Sequence, residues 1–293
     1  MATEKEFVAE MAEGASKAIQ KRLERIGETG AWLTVVPNNL NGTLLSKDEF
    51  RDNTRLRYGM RPIGLCERCD GCGAGFSIEH GLGCKYGGLV GQRHDDGRDE
   101  AGNLAALALS KSRVSYEPKI FYGTDVRAGQ QGQSGGGAGK KVAGNDARGH
   151  IAIHGLWRSG ETCILDMRIT DTDAKSYAGS SSAKVLEKAA KAKKDKYLDA
   201  CLERRKSFTP LVYLVDGMAC KEARAFEKRV ALLLASKWER RYSEMVGFVR
   251  ARMSLAIVRS NTRLLRGART SRPQRLSMED GAAMSAMDPV REV

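Results

Sequence analysis

No stretch of the sequence reaches the roughly 18 consecutive apolar residues of a membrane span. The opening "MATEKEFVAEMAEGASKAIQKRLERIG" is charged and amphipathic where a secretory leader would be apolar. No internal repeat is present. Cysteines number seven, an odd count. Together these absences read as an intracellular chain, nuclear or cytoplasmic, with reduced thiols and no disulfide framework. Clustered cysteines in such a chain point to metal.

What is abundant is positive charge. The formal net charge is +13 and the pI about 9.5 over 293 residues, which favours a polyanionic partner, above all nucleic acid. Hydrophobic content of 41% can supply a core for one large domain or two small ones.

Residues 1–28 read as a polar helix, and 29–62 as irregular with short apolar pieces. Residues 88–109 read as a helix in spite of Gly91, Gly97 and Gly102. A short strand is expected over 113–123, a Gly-rich loop over 128–139, and a hairpin around Ser159-Gly160. A basic helix over 182–205, a buried strand over 208–217 and helices over 218–240 and 243–265 complete the order. The tail over 267–293 reads as disordered. This order is that of a compact α/β arrangement, a mostly local sheet covered by helices.

Two motifs carry chemistry. In "CDGCGAGFSIEHGLGC", Cys69-x2-Cys72 spans a tight turn, and His80-x3-Cys84 spaces an imidazole and a thiolate by about one helical turn. Four such ligands match tetrahedral zinc in a closed, structural site, with Cys66 as a spare. The same stretch runs on into Arg93-His94-Asp95. In "TCILDMRIT", alternation puts Cys163, Leu165, Met167 and Ile169 on one strand face and Ile164, Asp166 and Arg168 on the other. An acid and a cation two apart on one face are the elements of the (D/E)-x-K motif of restriction-type nucleases. There the acid binds Mg²⁺ and the cation orients water or stabilises the phosphate. On the basic helix, Leu186, Ala190, Lys193, Tyr197 and Cys201 share one stripe, so Lys193 interrupts an apolar face. Either Lys193 or Lys194 can be the lysine turned to the sheet. Asp171 and Asp173 read as turn caps. The arginines from Arg250 to Arg275 are candidates for phosphate contacts.

These motifs, in this order, resemble the region after the polymerase in reverse-transcriptase polyproteins of non-LTR retrotransposons, of the class with a restriction-like endonuclease. "GAWLTVVPNNLNGTLLSKDEFRDNTRLRYG" resembles the segment following the polymerase, and "CDGCGAGFSIEHGLGC" the Cys-Cys-His-Cys knuckle. "GGLVGQRHDDGRDE" resembles the helix after the knuckle. "ARGHIAIHGLW" and "CILDMRITDTD" resemble the two catalytic strands, and "AKAKKDKYL" the Lys/Tyr helix. The resemblance implies a post-polymerase segment over 1–62, a zinc knuckle over 63–87 and a PD-(D/E)xK nuclease domain over 88–266. Cys69, Cys72, His80 and Cys84 would bind zinc, and Asp166 the catalytic Mg²⁺ or Mn²⁺. Lys193 and Tyr197 would match the displaced lysine and its tyrosine. The partner would be target DNA, nicked to prime reverse transcription, with element RNA as a further candidate.

Two departures stand out. The family carries Asp at the end of the first catalytic strand, where this chain has His150, and neutral imidazole suits Mg²⁺ poorly. The strand cation is Arg168, which cannot serve as a base at ordinary pH. No aromatic-x-Asp-Asp motif of a polymerase occurs. The resemblance thus implies a fragment, a domesticated copy or a decayed one. Its activity is either a nuclease's or that of a nucleic-acid-binding module on a silent nuclease core.

Overall fold

The computed structural model describes residues 13–14, 16–120 and 149–270. The expected Gly-rich loop lies outside the described residues, as do most of the first 15 positions and everything after 270.

The fold is mixed α/β. Its centre is a four-stranded sheet in the order β1-β2-β3-β4, formed by Val114–Tyr116, Ile151–His154, Thr162–Thr170 and Lys206–Leu214. The first three strands pair antiparallel and β3 pairs parallel with β4. Parallel pairing needs a crossover, and the basic helix supplies it between β3 and β4. Seven helices surround the sheet: α1 Lys17–Ile26, α2 Lys47–Arg57, α3 Ile78–Gly83, α4 Leu89–Ala108, α5 Ser182–Glu203, α6 Lys221–Trp238 and α7 Tyr242–Arg266.

The expected alternation in β3 sorts its residues between layers. Cys163, Leu165, Met167 and Ile169 join the main core with Leu104 of α4, Phe226 and Val230 of α6 and Ile257 of α7. The opposite face is covered by α5. Ile164 packs there with Tyr197, Cys201 and Phe208, and farther along Leu186 and Ala190 meet Val212 and Leu214. Asp166 sits between these two apolar groups, paired in register with Pro210. A smaller cluster joins the knuckle residues Phe76 and Leu82 to Leu264 and Leu265 at the end of α7.

Two differences from the sequence reading have physical causes. Residues 47–57 form α2 where irregular chain was expected. A capping box starts it: the Ser46 hydroxyl accepts from Glu49 N–H at 3.2 Å, and Glu49 Oε2 accepts from Ser46 N–H at 2.7 Å. The expected helix over 88–109 forms, and two of its glycines, Gly97 and Gly102, are where it comes close to the sheet. A Cβ on Gly97 would stand 3.4 Å from both Met167 and Ile169, and one on Gly102 would run into Tyr116. The second difference is the start of the expected tail, which is held in place. Arg269 is buried, its N–H donates to Asp70 Oδ2 at 2.6 Å, and its guanidinium donates to the Gly81 and Leu264 carbonyls.

Candidate functional site

Two side-chain groups carry chemistry. The first is the knuckle. A tight turn follows Cys69, with Gly73 N–H donating to the Cys69 carbonyl at 2.9 Å and Cys69 N–H to Ala74 at 2.8 Å. The short helix α3, capped by Ser77, brings His80 and then Cys84 back toward it. The ligand atoms of Cys69, Cys72, His80 and Cys84 all lie within 4.8 Å of one another. Cys69 Sγ is 3.9 Å from Cys84 Sγ, and Cys72 Sγ is 3.4 Å from His80 Nε2. A zinc tetrahedron with ordinary bond lengths has sulfur–sulfur edges of about 3.8 Å and sulfur–nitrogen edges of about 3.6 Å. The four residues fit such an ion and can hold a metal such as zinc. Burial raises the Cys69 thiol's pKa, but backbone N–H groups of Cys72 and Gly71 and contacts with His80 and Cys72 outweigh it, bringing it down to about 6. Thiolate is the form that binds metal. Cys84 moves the other way, raised by burial and by the neighbouring thiols. Cys66 is exposed and outside the group.

The second group surrounds Asp166. This carboxylate is 1% exposed at the middle of β3. Lys193 Nζ of α5 pairs with its Oδ2 at 2.5 Å, and His150 Nε2 lies 3.2 Å from its Oδ1. Lys194, one residue on, turns away to Glu222 at 2.5 Å, which settles the choice between the two lysines as a matter of geometry. His150 directly precedes β2, so it stands at that strand's start. Its Nδ1 accepts Met167 N–H at 2.9 Å. A nitrogen that accepts carries no proton, so the neutral ring has its hydrogen on Nε2, aimed at Asp166. Burial lowers the His150 pKa, with Lys193 adding to the effect and Asp166 opposing it.

Tyr197 follows one turn after Lys193. It is buried, its ring 5.6 Å from Phe208, with Lys193 Nζ 5.9 Å and Lys196 Nζ 4.6 Å from its centroid. Arg168 is not brought to Asp166: its Nε donates to Thr170 Oγ1 at 3.1 Å, and it lines a separate groove with Arg93 and His94. His94 was not singled out by motif, yet it lies within electrostatic reach of the centre. Burial, then Arg93, His150 and Lys193, push its pKa down to about 4, against Asp166. Only the packing of α4 against β3 brings it there, and no local pattern announces that.

Mg²⁺ and Mn²⁺ require hard oxygen donors. Here one carboxylate is present, with an ammonium on one oxygen and an imidazole N–H on the other. The His150 lone pair is spent on the backbone. Among the described residues, only the knuckle gathers three or more His, Cys, Asp or Glu ligands. The donor set at Asp166 does not fit a divalent cation of this class.

The end of β3 is structural. Asp171 accepts from Asp173 N–H at 2.9 Å, the expected turn cap. Asp173 takes Arg22 at 2.9 Å and Arg25 at 2.8 Å. The arginines of α7 have partners within the fold. Arg252 pairs with Glu100 at 2.7 Å, Arg263 with Asp96 at 2.7 Å and Arg266 with Asp52 at 2.6 Å. Arg259 donates to the Gly42 and Leu44 carbonyls. These side chains staple α7 to its neighbours while staying partly exposed. Arg272 and Arg275 lie outside the described residues.

Comparison with family models and with curated proteins finds none that matches this chain. Among the described residues no helix is long and apolar enough to cross a membrane.

Proposed function

We propose that this chain is an intracellular DNA-binding zinc protein built on the PD-(D/E)xK nuclease core of a non-LTR retrotransposon protein, with its cleavage centre closed by His150. The observation that carries the reading is the position of that imidazole. It stands beside Asp166, at the start of β2 and not at the strand end where the resembled family has its second acid, with one nitrogen on a backbone N–H and the other on the carboxylate. Asp166 and Lys193 retain the strand-and-helix juxtaposition that such a core requires. Cys69, Cys72, His80 and Cys84 would hold zinc, which supplies folding energy to a knuckle with little core of its own. The excess of 49 Lys and Arg over 36 Asp and Glu supports a polyanionic partner.

A second reading is a working Mg²⁺-dependent DNA endonuclease, favoured by Asp166 and Lys193 coming together as acid and lysine; it requires the ammonium to leave Oδ2 to the metal. The test is a supercoiled plasmid incubated with the full chain and Mg²⁺ or Mn²⁺, alongside His150→Asp and Asp166→Ala. Plasmid bound but nicked only by His150→Asp supports the silent core. Nicking by the natural chain, lost in Asp166→Ala, replaces it with the second reading. No plasmid binding sinks both.

A further inference from the structure

Between the knuckle, the start of α4 and the end of β3 lies a groove of about 1040 Å³. Its walls include Lys85, Arg93, His94, Arg168, Ser77 and Tyr177. Arg93 is the unusual member. It is 4% exposed, and its buried Nε and Nη1 find no hydrogen-bond partner among the described residues. Asp171, on another wall, acts on it through space while capping its own turn. Burial pulls the Arg93 pKa down to about 10, which leaves it cationic at neutral pH. A charge removed from water without a partner is costly, and folded proteins supply a partner or bind one. A guanidinium fork matches the paired oxygens of a phosphate.

We infer that this groove seats a phosphate of the DNA backbone, with Arg93 as its buried anchor and Arg168 and Lys85 at its sides. The inference rests on the DNA-binding reading and adds where the strand is gripped. His94, next to Arg93 on α4, lines the same groove and lies within electrostatic reach of Asp166. Knuckle and sheet would share one backbone contact, since the walls come from both.

The test measures binding of the zinc-loaded full chain to a short fluorescein-labelled DNA duplex by anisotropy across a salt series, with Arg93→Gln, Arg168→Gln and Arg93→Lys. One lost phosphate contact lowers the slope of log affinity on log salt by about one and weakens binding about tenfold at moderate salt. Arg93→Gln should show both, and Arg93→Lys should restore the slope. A folded Arg93→Gln with unchanged slope and affinity overturns the inference. If Arg93→Gln loses its zinc or its melting transition, Arg168→Gln and Lys85→Gln decide: reduced slopes support the groove, and unchanged slopes in both overturn it. Melting in inorganic phosphate separates the two levels. Stabilisation of the natural chain, absent in Arg93→Gln, with no duplex bound at all, would sink the DNA reading while marking an anion site. Tighter binding of an RNA duplex with the same Arg93 dependence would overturn the assignment to DNA.

Discussion

Lys193 of α5 and Asp166 of β3 meet at 2.5 Å although they lie on different elements and 27 positions apart (193 − 166). The carboxylate is buried, and the lysine side chain keeps 22% of its exposure. Removing Lys193 leaves the buried Asp166 charge without its ammonium in a low-dielectric site, which costs about 3 to 5 kcal/mol. Lys193→Met is expected to destabilise the chain by that order, and the double change Lys193→Met with Asp166→Asn by much less. Urea denaturation of Lys193→Met, Asp166→Asn and the double variant checks it; additive losses would mean the pair is not coupled.

On the proposed reading, an acid placed at position 150 is expected to give a working cleavage centre. His150→Asp should raise Mg²⁺-dependent plasmid nicking at least about 100-fold over the natural chain, the scale on which a single polar group moves catalysis. Plasmid topology on agarose gels reads this directly.

The knuckle should bind one zinc per chain. Cys69→Ser and Cys84→Ser should each lose it, while Cys66→Ser, at an exposed thiol outside the group, should keep it. Elemental analysis of the purified variants gives the count. Zinc retained at full occupancy in Cys69→Ser would remove that ligand from the set.

Asp52 is 1% exposed and receives Arg266 through two bonds of 2.6 and 2.7 Å. Asp52→Ala removes both bonds, while the partly exposed Arg266 keeps the Ile63 carbonyl, and is expected to cost about 2 kcal/mol. Thermal melting would show the loss, and a shift of less than a few degrees would mean that water replaces the carboxylate.

Glu227 gives a pH dependence. Burial raises its pKa, against the Tyr213 hydroxyl, which donates at 3.0 Å, and against Arg250 and Arg224. The folded state therefore holds the proton more tightly than the unfolded one. Stability from this group is full below its ordinary pKa and declines as pH rises through the raised value. Glu227→Gln should stabilise the chain near pH 7 and do little near pH 4, as melting curves at the two pH values would show.

The pieces legible in the sequence are those set by short-range pattern. The period of two in β3 placed Asp166 opposite the main core, and the period of 3.6 in α5 placed Lys193 and Tyr197 on one stripe with Leu186 and Cys201. The spacing of Cys69, Cys72, His80 and Cys84 sufficed to mark them as one group. What escaped depends on contacts far along the chain. Arg252, Arg263 and Arg266 looked like a free basic face because their partners Glu100, Asp96 and Asp52 lie more than 150 positions away. His94 and Arg93 acquire their neighbours only when α4 packs on β3. For α2 a local signal was present, since Ser46 and Glu49 form the capping box, but the helix is polar and its apolar stripe too thin to outweigh that impression.

Helix α7 runs from the main core at Met245 to the knuckle at Leu264 and Leu265, so one rigid rod spans both packing clusters. Free energy gained when a ligand binds only the folded form is credited to the whole cooperative unit. Knuckle and sheet should then melt together, in a single calorimetric transition that shifts with zinc concentration. A chain starved of the metal would be lost as an entire molecule to unfolding and proteolysis rather than surviving as an intact core with a frayed end.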